Sequence, residues 1–197
     1  MGSTYVLSKV DRPYLLIKMQ KRLTQFIFGM LILAAGVSGC DSSMSIGQSL
    51  PSVSTPTTTV SKSSKSGEFT ALEESVHQQV NQYRQSRNLP PLKLDARISE
   101  QARVHSQAMA SGKVPFSHNG FEGRVKAIAK SIPYRKAGEN VAYNMGYSNP
   151  GEQAVEGWIK SPGHRQNMEG DFDLTGVGIT KNAKGEYYFT QVFIKRR

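Results

Sequence analysis

The sequence predicts an α+β protein, a three-layer α-β-α sandwich around a mostly antiparallel central sheet. Three observations carry that prediction. Amphipathic helical periodicities open the stretch 68–197, a strand–turn–strand pattern closes it, and the closing strand is apolar on both faces. Strands that read apolar on both sides belong to a sheet covered on both sides. At 197 residues the chain is long enough for one domain with a real core.

The elements follow in order. Thr70-x-x-Glu73 reads as a capping box, and Phe69, Leu72, Val76, Val80 and Tyr83 then recur on one helical face. Pro90-Pro91 predicts that this helix ends near Asn88. His77 falls beside the apolar face, as an exposed or half-buried helix residue. Asp95 is a good N-cap for a second helix whose buried stripe is Ile98, Ala102, His105 and Met109 and which ends near Gly112. His105 on that stripe reads as a hydrogen-bonded core histidine. Phe116-Ser117-His118-Asn119-Gly120 carries no periodicity and is expected on a loop. A short third helix is expected over 121–132, then a strand over 136–143 that contains Gly138-Glu139-Asn140. A helix carrying Trp158 begins after Asn149-Pro150-Gly151 and stops before Pro162, because proline cannot continue a helix. A Pro-Gly turn then presents His164. Residues 175–180 and 187–194 are strands joined by a turn at Asn182 to Gly185.

The first 67 residues read as address and tether. Lys18, Lys21 and Arg22 form a positive region ahead of an apolar run, 26–37, of 12 residues. That length fits a signal-peptide core and falls short of the roughly 20 residues a membrane-spanning helix needs. Met19 stands at a more typical start, since 1–18 adds nothing a signal requires. The run ends Val37-Ser38-Gly39-Cys40, which resembles the bacterial lipobox; in lipoproteins of that kind the cysteine becomes the acylated N-terminus. On this reading 1–39 is a signal peptide and Cys40 carries acyl chains of the palmitate type. Each buried methylene contributes about 0.8 kcal/mol, so more than one chain is needed for stable anchoring. The alternative is a plain signal peptide and a secreted protein. Residues 40–67 are mostly Ser and Thr, a flexible tether with an r.m.s. reach of roughly 30 Å. The domain itself is placed at 68–197, outside the cytoplasm and held at a membrane.

The formal charge of +10 leaves twenty basic against fourteen acidic residues from Cys40 onward. Such a surface suits lipid headgroups or cell-wall polymers. No aromatic-interleaved basic motif and no helix-turn-helix or finger spacing is present, which argues against nucleic acid. The single cysteine excludes an internal disulfide and any Cys-rich zinc site.

Chemistry is expected where His118, Glu139 and His164 converge from three elements. Two neutral imidazoles and a carboxylate are the ligand set of an open Zn²⁺ site, with Glu139 supporting the histidines. A metal-bound water there would attack an ester or amide. There is no HExxH, no GxSxG elbow and no nucleophilic cysteine, so binding or scaffolding is preferred to catalysis. Gly138 is expected to allow a close approach before Glu139. Asn140 is expected to hydrogen-bond across the cleft and Asn167 to brace His164. Trp158 reads as core, and Arg165 as a solvated charge.

Asn81-Gln-Tyr-Arg84, Leu89-Pro-Pro-Leu92, Ser117-His118, Gly138-Glu139-Asn140, Trp158-x-x-Ser-Pro-Gly-His-Arg-x-Asn167, Gly176-Val-Gly178 and Thr190-Gln-Val-Phe193 occur in this order. Together they resemble the CAP superfamily of cysteine-rich secretory proteins, antigen 5 and pathogenesis-related 1 proteins (SCP-like domains), in its disulfide-free bacterial branch. The resemblance spans nearly all of 68–197. It implies an α-β-α sandwich and a cavity with two histidines and two acidic residues, to which His118, Glu139 and His164 correspond. The second acidic position holds Lys160-Ser161 here. Glu156 is the nearest candidate, about 200° round the helix from Trp158 and so expected to face away from His164. The family is associated with sterols, fatty acids, glycans and metals, and no general catalytic activity is agreed. The leading reading is a surface-tethered monomer that binds lipid or an envelope polymer at this cleft. The rivals are a zinc-dependent hydrolase of peptide or glycan and an envelope structural protein with a vestigial cleft.

Overall fold

A computed structural model of the chain describes residues 3–11 and 61–197. The apolar run 26–37, Cys40 and residues 41–60 lie outside the described residues. The elements are β1 (Ser3–Asp11), α1 (Ser61–Ser86), β2 (Lys93–Leu94), α2 (Ala96–Ala110), α3 (Phe121–Ala129), β3 (Tyr134–Met145), α4 (Pro150–Lys160), α5 (Pro162–Met168), β4 (Leu174–Lys181) and β5 (Tyr187–Arg196). The strands form one sheet in the order β1-β3-β5-β4-β2, antiparallel except for the short β2–β4 pair.

Strand alternation sorts the core into two layers. Phe189 and Phe193 on β5, with Val177 and Ile179 on β4, meet Val76 and Val80 of α1, Ala154, Val155 and Trp158 of α4, and Met168 of α5. Val192 and Ile194, one residue out of phase, meet Ile98 and Ala102 of α2 and Phe121, Val125 and Ile128 of α3. The three-layer sandwich expected from the two-sided β5 is therefore present, with α1, α4 and α5 on one face and α2 and α3 on the other.

Several motif residues act in packing. Arg84 is fully buried and donates to the carbonyls of Pro90, Met168 and Gly170, fastening the end of α1 to the end of α5. Asn81 exchanges two hydrogen bonds with the backbone of Leu92, fixing the extended turn into β2. Gly176 and Gly178 lie directly under α2: a Cβ on Gly178 would stand 2.1 Å from the Arg103 nitrogen, and one on Gly176 2.2 Å from the Ser99 nitrogen. Only glycine lets the helix backbone come this close to the strand. Asp95 caps α2 as expected, accepting from the Arg97 amide.

Three expectations are corrected. The first helix does not begin at a Thr70–Glu73 box. It is already running at Ser61, inside the stretch 40–67 read as tether, because extending an existing helix adds one hydrogen bond per residue fixed. Glu73 is buried instead, accepting from Arg103 and from the Ile179 amide, so it ties α1 to α2 and β4. The third correction is at the N-terminus: Ser3–Asp11, given no element from sequence, pairs along β3 from Ser3 opposite Met145 to Asp11 opposite Ala137. Without that strand β3 would present an open row of backbone donors and acceptors.

Candidate functional site

β3 carries the site, and its alternation divides it. Glu139 points to the α2/α3 face and is wholly buried. Its carboxylate is clamped from α3, with Arg124 Nε donating to Oε2 at 2.9 Å and Nη2 to Oε1 at 2.8 Å. His118 Nδ1 lies 2.8 Å from Oε1. A carboxylate facing a guanidinium is an acceptor only, so Nδ1 carries a proton, and in the neutral ring His118 Nε2 presents a lone pair. That Nε2 is buried and has no hydrogen-bond partner among the described residues.

The loop before α3 holds His118 in place. Arg124 Nη1 donates to the Asn119 carbonyl at 2.8 Å, so one guanidinium fixes both the carboxylate and the loop. From the other side His105 Nε2 lies 2.8 Å from the Ser117 carbonyl. Burial, and then the nearby Arg124 charge, hold the His105 imidazole below its ordinary pKa. Its expected role as a bonded core histidine is what the structure shows, with the added consequence that it pins the His118 loop.

Asn140, the next residue, points to the opposite face. It donates to the His164 carbonyl at 3.2 Å, and Asn167 donates to Asn140 Oδ1 at 2.8 Å and to the Glu139 carbonyl at 3.1 Å. A Cβ on Gly138 would meet Asn167 Oδ1 at 2.9 Å, which is the close approach expected there. His164 itself is only 3 % exposed, with Nδ1 2.7 Å from Ser161 Oγ. Ser161 is the N-cap of α5 and His164 stands three residues on, so this contact joins two side chains across the first turn of the helix. The structure thus brings together His118, Glu139 and Arg124, and separately Asn140, Asn167 and His164. Glu139 and Asn140 themselves lie on opposite faces of the sheet. A period of two places adjacent β3 residues on opposite faces.

Glu156 does face away: it is 44 % exposed and paired with Lys160 at 2.9 Å. Zinc of the open catalytic type needs three protein ligands. Here Glu139 is saturated by Arg124 and His118, and among the described residues no group of three or more His, Cys, Asp or Glu is placed to hold a metal. The donor set does not fit such a centre. Trp158 is fully buried, donating to the Val141 carbonyl, and belongs to the core.

Sequence reasoning missed Arg124, although an arginine in phase with Phe121, Val125 and Ile128 on a short apolar helix face is a readable signal of a buried ion pair. It also missed Tyr143 and Tyr188. Tyr143 lies two alternations along β3 from Glu139 on the same face, and Tyr188 is its partner on β5. Their rings pack at 5.1 Å, and Phe116, two residues before His118, packs on Tyr143 at 6.3 Å.

This sandwich, with its His–Glu–Arg cluster on the central strand, is that of an SCP-type domain, and the comparisons agree. Residues 77–193, more than half of the chain, match the model of the CAP family, described as the cysteine-rich secretory protein family. The chain belongs to that family. Among curated proteins it is 38 % identical over 144 residues to YkwD and 35 % identical over 131 residues to the membrane protein YlbC, both of Bacillus subtilis and both described as uncharacterised. These alignments take in 71 % and 64 % of this chain but only 52 % and 35 % of the relatives. Among solved structures it resembles an extracellular SCP-domain protein of Bacillus anthracis, with a TM-score of 0.58 and 26 % identity over 73 % of this chain and 45 % of that one. An outer surface protein of Borrelia burgdorferi shares the fold, with a TM-score of 0.55 and 20 % identity over 64 % of this chain and 94 % of that one.

Proposed function

We propose that the chain is an extracytoplasmic CAP-domain protein, anchored through an acylated Cys40, that binds a lipid or envelope-polymer ligand on the His118 face. The observation that carries the binding reading is His118. Its Nδ1 is fixed by a carboxylate that is itself clamped by Arg124, and its Nε2 is left without a partner among the described residues. A buried polar atom without a partner costs free energy unless something meets it. The ring is 15 % exposed, so the histidine sits at the surface's edge, where a ligand hydroxyl can reach it after a small loop shift. The location follows from the lipobox-like Val37-Ser38-Gly39-Cys40 and from the extracellular description of the Bacillus anthracis neighbour.

The zinc-hydrolase reading is not preferred, since no group of three or more His, Cys, Asp or Glu among the described residues is placed to hold a metal. A structural role with an idle site would leave ligand capture indifferent to His118. Co-sedimentation of the full chain with purified cell-wall sacculi and with phospholipid vesicles separates these. His118→Ala should keep the melting curve, because Arg124 still balances Glu139, and should weaken capture by one of the two. Unchanged capture by both in the variant would overturn the reading. For the anchor, Cys40→Ser should abolish incorporation of labelled palmitate and move the protein from the membrane fraction to the soluble one.

A further inference from the structure

We propose that the Asn119–Gly120 link is a self-modifying site, which loses ammonia, closes to a succinimide and reopens as an isoaspartyl link whose carboxylate is held by Arg124. It is the only Asn-Gly pair in the chain, and it stands between His118 and the first turn of α3. The inference concerns the loop itself, whatever the His118 face binds.

Both reacting groups are open. Asn119 and Gly120 are exposed and lie in a turn outside any helix or strand. Among the described residues the Asn119 carboxamide meets no hydrogen-bond partner, and neither does the Gly120 N–H. Gly120 has a φ of +78° and no side chain to shield its nitrogen from the neighbouring carboxamide. The bonds around the turn hold it without engaging these groups. The Phe121 amide donates to the His118 carbonyl at 3.0 Å, and the Arg124 amide to the Gly120 carbonyl at 3.0 Å. The Asn119 amide donates to Ser117 Oγ at 3.2 Å.

Arg124 supplies the activation. Its Nη1 donates to the Asn119 main-chain carbonyl at 2.8 Å, and a Cβ on Gly120 would stand 3.4 Å from the same nitrogen. That carbonyl and the Gly120 N–H belong to one peptide group. A charged donor on the oxygen draws electron density from the nitrogen, so the N–H is easier to remove and the amidate left behind is stabilised. The amidate nitrogen bonds to Asn119 Cγ and the Cγ–Nδ2 bond breaks. The proton lost from Gly120 returns through water to the departing nitrogen, which leaves as ammonia. Water then opens the ring. Attack at Cγ gives aspartate; attack at the main-chain carbonyl gives isoaspartate, with the chain routed through Cγ. Arg124 polarises the main-chain carbonyl and so directs water there. The net change is one water consumed and one ammonia released, with no oxidant or cofactor.

The consequence falls on His118. In the isoaspartyl product the oxygen that Arg124 holds belongs to a free carboxylate, so Glu139 gains a rival for the guanidinium. The main chain beside His118 is also longer by a methylene.

The test incubates the full chain at mildly alkaline pH beside a synthetic peptide of residues 114–124 and an Asn119→Ser variant. Intact mass, released ammonia and isoaspartyl methyltransferase labelling follow the reaction. The folded parent should convert at Asn119 at least as fast as the peptide and with a larger isoaspartyl share, and Asn119→Ser should show no conversion there. Arg124→Met/Glu139→Gln, which removes the donor while leaving no buried charge, should convert about tenfold more slowly or less. The His118 ring signals in NMR should shift as conversion proceeds. A folded parent that keeps its Asn119 amide while the peptide loses it overturns the inference, as does an isoaspartyl share no greater than the peptide's. Equal rates in the parent and a folded double variant overturn the role of Arg124, and His118 signals unmoved by full conversion overturn the link to the site. If the double variant does not fold, the comparison of parent with peptide decides alone.

Discussion

At the level of single residues, the site is one charge pair with a histidine attached. Arg124 and Glu139 are both buried, so neither is stable without the other. Arg124→Ala should cost on the order of 3–5 kcal/mol by chemical denaturation, because it strands a buried carboxylate. Adding Glu139→Gln to Arg124→Met should return much of that loss; an equally unstable double variant would mean that the pair is not the cause. His118, Glu139, Asn140 and His164 were all legible as special residues from their motifs. Their hydrogen-bond partners were not, because the strand's register alone decides which face each of residues 139 and 140 takes. Arg124 was overlooked because a lone arginine in a short helix reads as solvated unless its phase is followed.

Among the elements, the β4–α2 contact is the tightest. Gly178→Ala should destabilise the protein by about 2 kcal/mol or more, since the new methyl meets helix backbone that cannot rotate away. An Ala variant that melts with the parent would contradict the close approach. The helices of 96–110 and 150–160 and the closing hairpin were readable because caps, prolines and alternation agree there. The start of α1 and the presence of β1 were not. A helix can propagate upstream into a Ser/Thr segment with no local signal, and β1 is defined by the edge it pairs with. Removing residues 3–11 should speed amide exchange along the β1-facing side of β3 while its β5-facing amides stay protected. Identical exchange would show that the strand is not paired.

Across the whole molecule, pH couples the site to stability through His105. Its folded pKa is lowered, so between that value and about 6.5 the unfolded chain binds more protons, and stability falls as pH drops through this window. His105 faces Arg124, His118 and Glu139, so its protonation adds positive charge beside the cluster, a cost that the Ser117 carbonyl accepting from the ring offsets only in part. The melting temperature should decline from neutral pH toward 5, and His105→Gln should flatten that slope; an unaltered slope would assign it elsewhere.

The central claim is that the His118 face is a ligand-binding site on a closed Arg124–Glu139–His118 cluster and not a metal centre. Zinc titration by calorimetry on the full chain, beside a His118→Ala/His164→Ala double variant, tests it most directly. The account predicts no tight one-to-one heat in the parent. Tight stoichiometric binding that disappears in the double variant would contradict it, because the two imidazoles would then hold a metal.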